Sequence, residues 1–165
     1  MRAKQIVHRE LDRIDVKIVN ALQAHARMSM TDLAEAVGLS VTPCAERVRR
    51  LERDRFILGY HARLNPHAFG QSLLVFVEIK LAAKSGAMFE EFKREVRKLP
   101  NVLECHLVSG EFDYLIKARI PEMNAYRRLL GDMLLTLPGA RESRSYIVME
   151  EIKESLALTI DEPGP

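Results

Sequence analysis

The sequence reads SMTDLAEAVGLSVTPCAERVRRLER at residues 29–53. Ser29 is a candidate helix cap, because Asp32 follows it at the capping-box distance and an apolar stripe comes next. Gly38 is typical of the residue just past a helix end, and Ser40 is a candidate cap for a second helix. The stretch therefore predicts two helices joined by a tight turn, which is a helix-turn-helix.

The second of these helices has an apolar side and a charged side. Its apolar stripe consists of Val41, Cys44, Val48 and Leu51. Cys44 is therefore predicted to pack in the core, and Pro43 is tolerated because the first helical turn has no N–H partner to lose. The side opposite the stripe carries Pro43, Glu46, Arg50 and Arg53, and its flanks carry Thr42, Arg47 and Arg49.

A further helix is predicted before this pair. Apolar residues recur at helical spacing at Leu11, Ile14, Ile18 and Leu22. Asp12 and Asp15 fall in the first turn of that helix, where they complement the positive end of the helix dipole. After the pair, residues 56–64 have β character and predict a wing or a linking strand.

The periodicity changes after Asn65-Pro66, which breaks the chain. Alternating apolar residues then predict strands, and helical stripes predict two helices between them. The strands are expected over 73–81, 103–107, 114–120 and 145–149, and the helices over 89–99 and 126–137. The resulting β-α-β-β-α-β order is that of the ferredoxin-like fold, so the predicted fold class is α+β.

Two domains are expected from this division. We assign residues 1–60 to a winged helix-turn-helix domain, 61–71 to a linker or hinge strand, 72–155 to a ferredoxin-like domain and 156–165 to a C-terminal tail.

The sheet of the second domain is expected to need cover on both faces. Leu74 and Phe76 alternate with the residues that face the helices, and Tyr146 and Val148 do likewise. Since apolar residues on the second face must also leave water, a second copy of the sheet is the simplest cover. This predicts a homodimer through residues 73–151.

Charge and composition narrow the function classes. The 165-residue chain has 25 Lys and Arg against 23 Asp and Glu, but residues 1–60 alone carry a net charge of +3 and residues 61–165 carry −1. This asymmetry favours an anionic partner for the first domain. Two cysteines are too few for a disulfide scaffold, and neither a signal peptide nor an apolar membrane-length run is present, so a cytoplasmic location is expected.

A helix-turn-helix places its second helix in the major groove of DNA. The residues near the start of that helix predict base contacts, because arginine pairs with guanine, glutamate accepts from cytosine, and threonine and proline meet a thymine methyl group. The other basic side chains suit phosphates, as do the hydroxyls at the start of the preceding helix. The predicted DNA-contacting residues are Ser29, Thr31, Ser40, Thr42, Pro43, Glu46, Arg47, Arg49, Arg50 and Arg53.

Five segments resemble the leucine-responsive regulatory protein/asparagine-regulator family (Lrp/AsnC), a group of feast/famine transcription regulators. They are 11–15 (LDRID), 37–44 (VGLSVTPC), 46–52 (ERVRRLE), 104–115 (ECHLVSGEFDYL) and 146–151 (YIVMEE). The pattern is most similar to the leucine-responsive branch. The resemblance implies duplex DNA as partner, control of amino-acid metabolism genes, association with the nucleoid, and dimers that assemble further, often to octamers.

The resemblance also implies a free amino acid as effector and no other cofactor. The effector is expected near the 109–113 turn, between dimers. Asp113 suits the ammonium of an amino acid, and backbone N–H groups around Ser109 and Gly110 suit its carboxylate. The remaining residues expected to contact the effector are Leu107, Met123, Tyr146 and Val148. Leucine is the first expectation, followed by other branched or apolar amino acids.

Three alternatives from other classes are open at this point. An enzyme is disfavoured, because no common catalytic motif is present, Cys105 and His106 point to opposite strand faces, and the histidines lack metal-ligand spacing. An RNA-binding ferredoxin-like protein is disfavoured because the candidate strands lack a basic, aromatic surface. The third alternative is an effector-binding oligomeric module without duplex DNA recognition.

Overall fold

The computed structural model describes residues 9–161. Residues 1–8 and 162–165, which the predicted first domain and tail include, lie outside the described residues. The described chain divides into two compact units: one runs up to Arg63 and resumes at Glu154, and the other runs from Leu64 to Lys153. No helix among the described residues combines the length and apolar character needed to cross a bilayer.

The first unit contains three helices, as the sequence predicts. They are α1 (Arg13–Ala24), α2 (Met30–Val37) and α3 (Val41–Arg53). Their apolar stripes meet in one core, so the predicted burial of Cys44 is confirmed. The buried members of this core are Ile18, Val19, Leu33, Ala34, Val37, Cys44, Val48 and Leu51.

Capping residues mark the ends of the three helices. The Ser29 hydroxyl accepts a hydrogen bond from the Asp32 backbone N–H at 3.1 Å, as the capping interpretation predicts. Gly38 ends α2 in the left-handed region, with φ 74° and ψ 36°. Ser40 occupies the cap position of α3 but makes no side-chain capping hydrogen bond. Asp12 lies one residue before α1 as its cap, not inside the first turn.

The strand predicted over 56–64 is wrong. These residues form no strand, and a short 3₁₀ helix follows at Pro66–Phe69. The backbone N–H groups of Phe56 and Ile57 both donate to the carbonyl of Leu51, at 2.9 and 3.2 Å. The segment therefore closes the end of α3 instead of pairing with a strand, and both side chains pack against the helical core.

The C-terminal segment belongs to the first unit. Gln23 of α1 holds Leu158 with two hydrogen bonds: its Oε1 accepts from the backbone N–H at 2.7 Å and its Nε2 donates to the carbonyl at 3.2 Å. Asn20 Nδ2 donates to the Ile160 carbonyl at 3.1 Å, and the Ile160 side chain packs against the helical core. The first unit is therefore built from both ends of the described chain.

The second unit has the predicted β-α-β-β-α-β order. Its elements are β1 (Leu73–Leu81), α4 (Gly86–Val96), β2 (Val102–Leu107), β3 (Tyr114–Ile120), α5 (Met123–Thr136) and β4 (Ala140–Ile147). The strands form one antiparallel sheet in the order β2-β3-β1-β4. This is the ferredoxin-like topology, so the predicted α+β fold class is confirmed.

The core of the second unit lies between the sheet and the two helices. Val75, Val77 and Ile79 of β1 are buried against Phe92 of α4, together with residues of α5. The Phe92 ring stacks on Tyr114 with centroids 4.0 Å apart and planes 8° apart. These alternating positions are the ones that the period-2 pattern of β1 predicts.

The edge strand β2 departs from its predicted register. Simple alternation over 103–107 would bury Leu103, Cys105 and Leu107 together, but both leucines are 54% exposed. A bulge between Val102 and Glu104 moves Leu103 off the buried side, so Val102 and Cys105 pack against the core. Leu107 keeps the side of Cys105, opposite Tyr114, and is exposed at the end of the strand.

The other edge strand, β4, begins at Ala140 instead of at residue 145 and ends at Ile147. Val148, which was expected within this strand, lies just past its end, although its N–H donates to the Leu74 carbonyl at 2.9 Å.

The sheet face away from the helices mixes apolar and charged side chains. By register, Phe76 lies beside Lys117 of β3 and Tyr146 of β4. The Tyr146 hydroxyl donates to Glu78 at 3.0 Å, and Arg119 pairs with Glu151. The dimer through this face stays a prediction. A second copy that covers the face would have to accommodate the ion pair of Arg119 with Glu151.

Gly139, which precedes β4, should be intolerant of substitution. Its φ is +72°, and an added Cβ would lie 2.6 Å from Met88 Sδ. We expect Gly139→Ala to lower the free energy of unfolding by about 1–2 kcal/mol, the cost of a left-handed non-glycine residue. Urea denaturation at one fixed protein concentration measures this. Gly86→Ala is the control, because nothing lies within 4 Å of that position, and it should leave stability unchanged or slightly raised. Equal losses in both variants would contradict the strain argument.

Candidate DNA-contacting surface and effector site

The outward side of α3 brings several of the predicted DNA-contacting residues together. An open concavity there is lined by Pro43, Glu46, Arg47, Arg50 and Arg53. Ser40, Thr42 and Arg49 are also exposed on this helix or at its cap, and Ser29 and Thr31 are exposed at the start of α2. Exposed hydroxyl groups thus lie at the starts of α2 and α3, and guanidinium groups lie from the middle to the end of α3, the helix that a helix-turn-helix places in the major groove.

The arginines of this surface differ in how they are held. Arg53 is 71% exposed and pairs only with its neighbour Asp54 among the ion pairs that the described residues form, and Arg49 forms no such pair. Arg47 is 25% exposed: its Nη1 lies 2.6 Å from Asp12 Oδ2 and 2.9 Å from Asp15 Oδ1. The predicted base-reading arginine is therefore anchored to α1.

Asp15 is the centre of this anchorage. Its side chain is fully buried, and Arg9 and Arg50 also reach it, at 2.6 and 3.4 Å. A buried carboxylate is stable only when cations and hydrogen bonds compensate its lost hydration. The three arginines supply that compensation.

The contacts between Asp12 and Arg47 favour the charged forms of both side chains. Desolvation by burial raises the pKa of Asp12, but the hydrogen bonds from Arg47 and from the Asp15 backbone outweigh it, so the pKa lies below its ordinary value. The hydrogen bonds to Asp12 and Asp15 raise the pKa of Arg47 further above physiological pH.

The role of these two acids was not predicted, because the local pattern indicates only a complement to the helix dipole. The available signal was that Asp15 lies directly after Ile14 of the apolar stripe and directly before Val16, where a carboxylate is close to the buried side of the helix.

The predicted effector residues fall into two groups. Leu107, Ser109, Gly110 and Asp113 lie at the turn between β2 and β3, where the Val108 N–H donates to the Asp113 carbonyl at 2.9 Å. Met123 and Val148 lie toward the other end of β3, because α5 follows that end and Val148 bonds to Leu74 opposite Arg119. Tyr146 lies between, opposite Phe76.

One chain does not bring these two groups together. The seven residues of β3 separate them, which at a strand rise of roughly 3.3 Å per residue is about 20 Å. A single amino acid cannot span that distance, so a site that uses both groups needs two copies of the chain.

Asp113 is buried, and both oxygens of its carboxylate already have partners within the chain. Its Oδ2 accepts a hydrogen bond from the Leu81 N–H at 2.8 Å, and its Oδ1 lies 2.7 Å from Lys84 Nζ. Desolvation raises its pKa, but the contacts with Lys84 and Leu81 outweigh this and hold the pKa below its usual value. An effector ammonium would reach this carboxylate only by displacing Lys84, whose side chain is 60% exposed.

A further cleft, which the sequence did not predict, lies beside the same turn. Both signs of charge line it: Glu78, Lys80, Glu111, Phe112, Glu142, Ser143 and Arg144. Such a lining suits a zwitterion, which carries both charges. Period-2 placement of charges on β1 and β4 was the only sequence signal for it.

No group of three or more histidine, cysteine or carboxylate side chains within 9–161 is arranged to hold a metal ion.

A helix-turn-helix unit with a basic outer helix, joined to a ferredoxin-like unit with an open cleft lined by both signs of charge, is the architecture of a ligand-responsive DNA-binding regulator. Residues 11–52 match the AsnC-type helix-turn-helix domain and residues 74–158 match the Lrp/AsnC ligand-binding domain. The chain belongs to the Lrp/AsnC family of transcription regulators.

Individual relatives agree with this assignment. The chain is 57% identical to the leucine-responsive regulatory proteins of Escherichia coli and Klebsiella pneumoniae, over 92% of this chain and 93% of theirs. A transcriptional regulator of Neisseria meningitidis, solved with L-methionine, has a TM-score of 0.85 at 35% identity, over 91% of this chain and 97% of that one. An AsnC-family regulator of Agrobacterium tumefaciens has a TM-score of 0.86 at 34% identity, over 90% and 97%.

These comparisons confirm the family and the general function. The protein is a transcription regulator with a DNA-binding domain and an amino-acid-binding domain, and the RNA-binding and assembly-only alternatives are not favoured. The roles of individual residues stay predictions.

Asp113 should make stability depend on pH. Because its pKa is lowered in the folded state, ionised Asp113 stabilises the fold above the unfolded-state value of about 3.9, and this stabilisation is lost as pH falls through the folded-state pKa. We expect the stability difference between wild type and Asp113→Asn to be largest above about pH 5 and to narrow toward acid pH. Urea denaturation across the pH range measures it. Lys84→Met keeps the Leu81 hydrogen bond and should give an intermediate profile, whereas a pH-independent difference would contradict the assignment.

Proposed function

We propose that α3 reads duplex DNA in the major groove and that a branched or apolar amino acid, leucine first, shifts the assembly of the protein and with it the affinity for DNA. Linkage requires only that the effector bind one assembly state better than another. The observation that carries the proposal is the basic, open surface of α3 beside the exposed start of α2. Genes of amino-acid metabolism are the proposed targets, and the nucleoid of the cytoplasm is the proposed location.

The DNA contacts divide by accessibility. Arg49 and Arg53 are the exposed cations of α3 and suit phosphates, and Arg50 suits a phosphate from its held position. Base edges are assigned to Thr42, Pro43, Glu46 and Arg47. Hydroxyl contacts to phosphate are assigned to Ser29, Thr31 and Ser40.

The effector site is proposed to lie between copies of the chain. The separation of the two predicted groups along β3 supports this, because each copy would supply one group. Backbone N–H groups at Ser109 and Gly110 are assigned to the effector carboxylate, and Asp113 to its ammonium. The side-chain wall is assigned to Leu107, Met123, Tyr146 and Val148.

Two relatives support the chemical class of the effector. The similar Neisseria meningitidis regulator was solved with L-methionine, and the 57% identical relatives are called leucine-responsive. Methionine and leucine are both apolar amino acids with side chains of similar length. We further propose homodimers through the open sheet face that assemble to octamers, since a heterologous contact that closes gives a ring of finite size.

Binding to DNA should weaken steeply with salt, and substitutions at phosphate-contacting and base-contacting residues should have different effects. Arg49→Ala should weaken binding to all duplexes and reduce the slope of log K against log salt by about 0.9, which corresponds to one phosphate contact. Glu46→Ala should relax sequence preference with little change of slope. Fluorescence anisotropy at several salt concentrations, on a selected and a scrambled duplex, distinguishes the two. Identical behaviour of the variants would contradict the division of roles.

The effector response should require two copies of the chain. Leu107→Arg and Met123→Arg should each abolish the change in sedimentation and DNA affinity that leucine or methionine causes. Mixing the two variants should restore about a quarter of the sites, because half of the random pairs are mixed and each mixed pair has one intact site. Leu135→Arg, at a residue 88% exposed and outside the predicted site, is the control and should respond normally. Absence of complementation would favour a site within one chain.

A further inference from the structure

The first unit contains a buried carboxylate that the proposed DNA contacts do not use. Asp15 of α1 is fully buried and is reached by three guanidinium groups: Arg9 at 2.6 Å, Arg47 at 2.9 Å and Arg50 at 3.4 Å. Two of the three belong to α3. Because a buried carboxylate without cations is strongly unfavourable, these arginines stay near α1 in the folded domain.

The anchorage leaves one edge of Arg47 available. Both of its contacts, to Asp12 and to Asp15, use Nη1. The opposite edge of the same planar group, formed by Nε and Nη2, has the spacing that the O6 and N7 atoms of guanine accept. Holding one edge fixes the direction of the other, which reduces the loss of side-chain freedom on binding.

The same anchorage withholds charge from the phosphates. Sequence-independent affinity grows with the number of cations that can move onto phosphates. Arg47 and Arg50 are 25% and 37% exposed, against 71% for Arg53, and each has a carboxylate competing for it.

We propose that Asp15 is a positioning residue for DNA recognition: it directs Arg47 toward base edges, holds Arg50 at one phosphate position, and keeps both arginines from moving freely onto phosphates of any sequence. Discrimination between sequences is thereby gained at the expense of general affinity. This inference rests on the proposal that α3 reads DNA. The carboxylate itself touches no DNA.

The test compares two duplexes. One is selected by the wild-type protein from a random-sequence pool, and the other has the same composition in scrambled order. Asp15→Asn keeps the shape of the side chain but removes its charge. We expect its binding to the scrambled duplex to become tighter, with a salt slope steeper by about 0.9 to 1.8, which corresponds to one or two freed arginines. The ratio of the two affinities should fall at least tenfold.

Two further variants separate this effect from simpler causes. Asp12→Asn retains the helix cap, because asparagine caps as well as aspartate, and loosens only Arg47, so it should change the slope and the affinity ratio in the same direction but less. Glu35→Gln makes the same change of net charge on exposed α2, where it forms no ion pair among the described residues, and should leave the affinity ratio unchanged.

The outcomes are distinguishable. A parallel loss of affinity for both duplexes in folded Asp15→Asn indicates a merely structural role and overturns the inference, as does an unchanged ratio. If circular dichroism shows Asp15→Asn to be unfolded, Asp12→Asn decides, and an unchanged ratio there overturns the inference. A wild-type protein that binds neither duplex in a salt-dependent way would instead overturn the proposed reading of DNA by α3, whatever the variants do.

Discussion

The burial of Asp15 between α1 and α3 is the constraint on which the DNA-binding unit depends. The apolar core brings the three helices together, but apolar contacts are non-directional and do not orient long polar side chains. The ion pairs of Asp15 with Arg47 and Arg50 add that orientation. The basic surface of α3 is consequently a surface of two kinds of arginine, some held at α1 and some extended into solvent.

The ligand-binding unit is shaped by a different constraint, which is the one-sided cover of its sheet. The helices α4 and α5 bury the face that contains Val75, Val77 and Ile79. The opposite face presents Phe76 and Tyr146 among charged neighbours. The predicted effector residues are also divided along β3. Both features are incomplete in one chain, and a second copy would complete both.

Much of the fold was predictable because local patterns and tertiary burial agree. The stripe of α3 and the alternation of β1 each match the buried set, and Gly38 ends α2 as expected. Prediction failed where a tertiary contact competes with the local pattern. Residues 56–64 have strand composition, but Phe56 and Ile57 close the end of α3 and pack against the helical core, and a bulge moves Leu103 out of the core of the second unit. Five of the predicted DNA-contacting residues on α3 line one concavity, whereas the predicted effector residues do not form one site in a single chain.

The sequence by itself determined the helix-turn-helix, the β-α-β-β-α-β order and the family, because periodicity, caps and motifs are properties of neighbouring residues. Only the tertiary structure decided which arginines are anchored, that Asp113 is already bonded to Leu81 and Lys84, and that Leu158 and Ile160 return to α1. The contacts of Arg47, Asp113, Leu158 and Ile160 join residues more than 25 positions apart. Their pairing depends on how the elements pack, which no local pattern encodes.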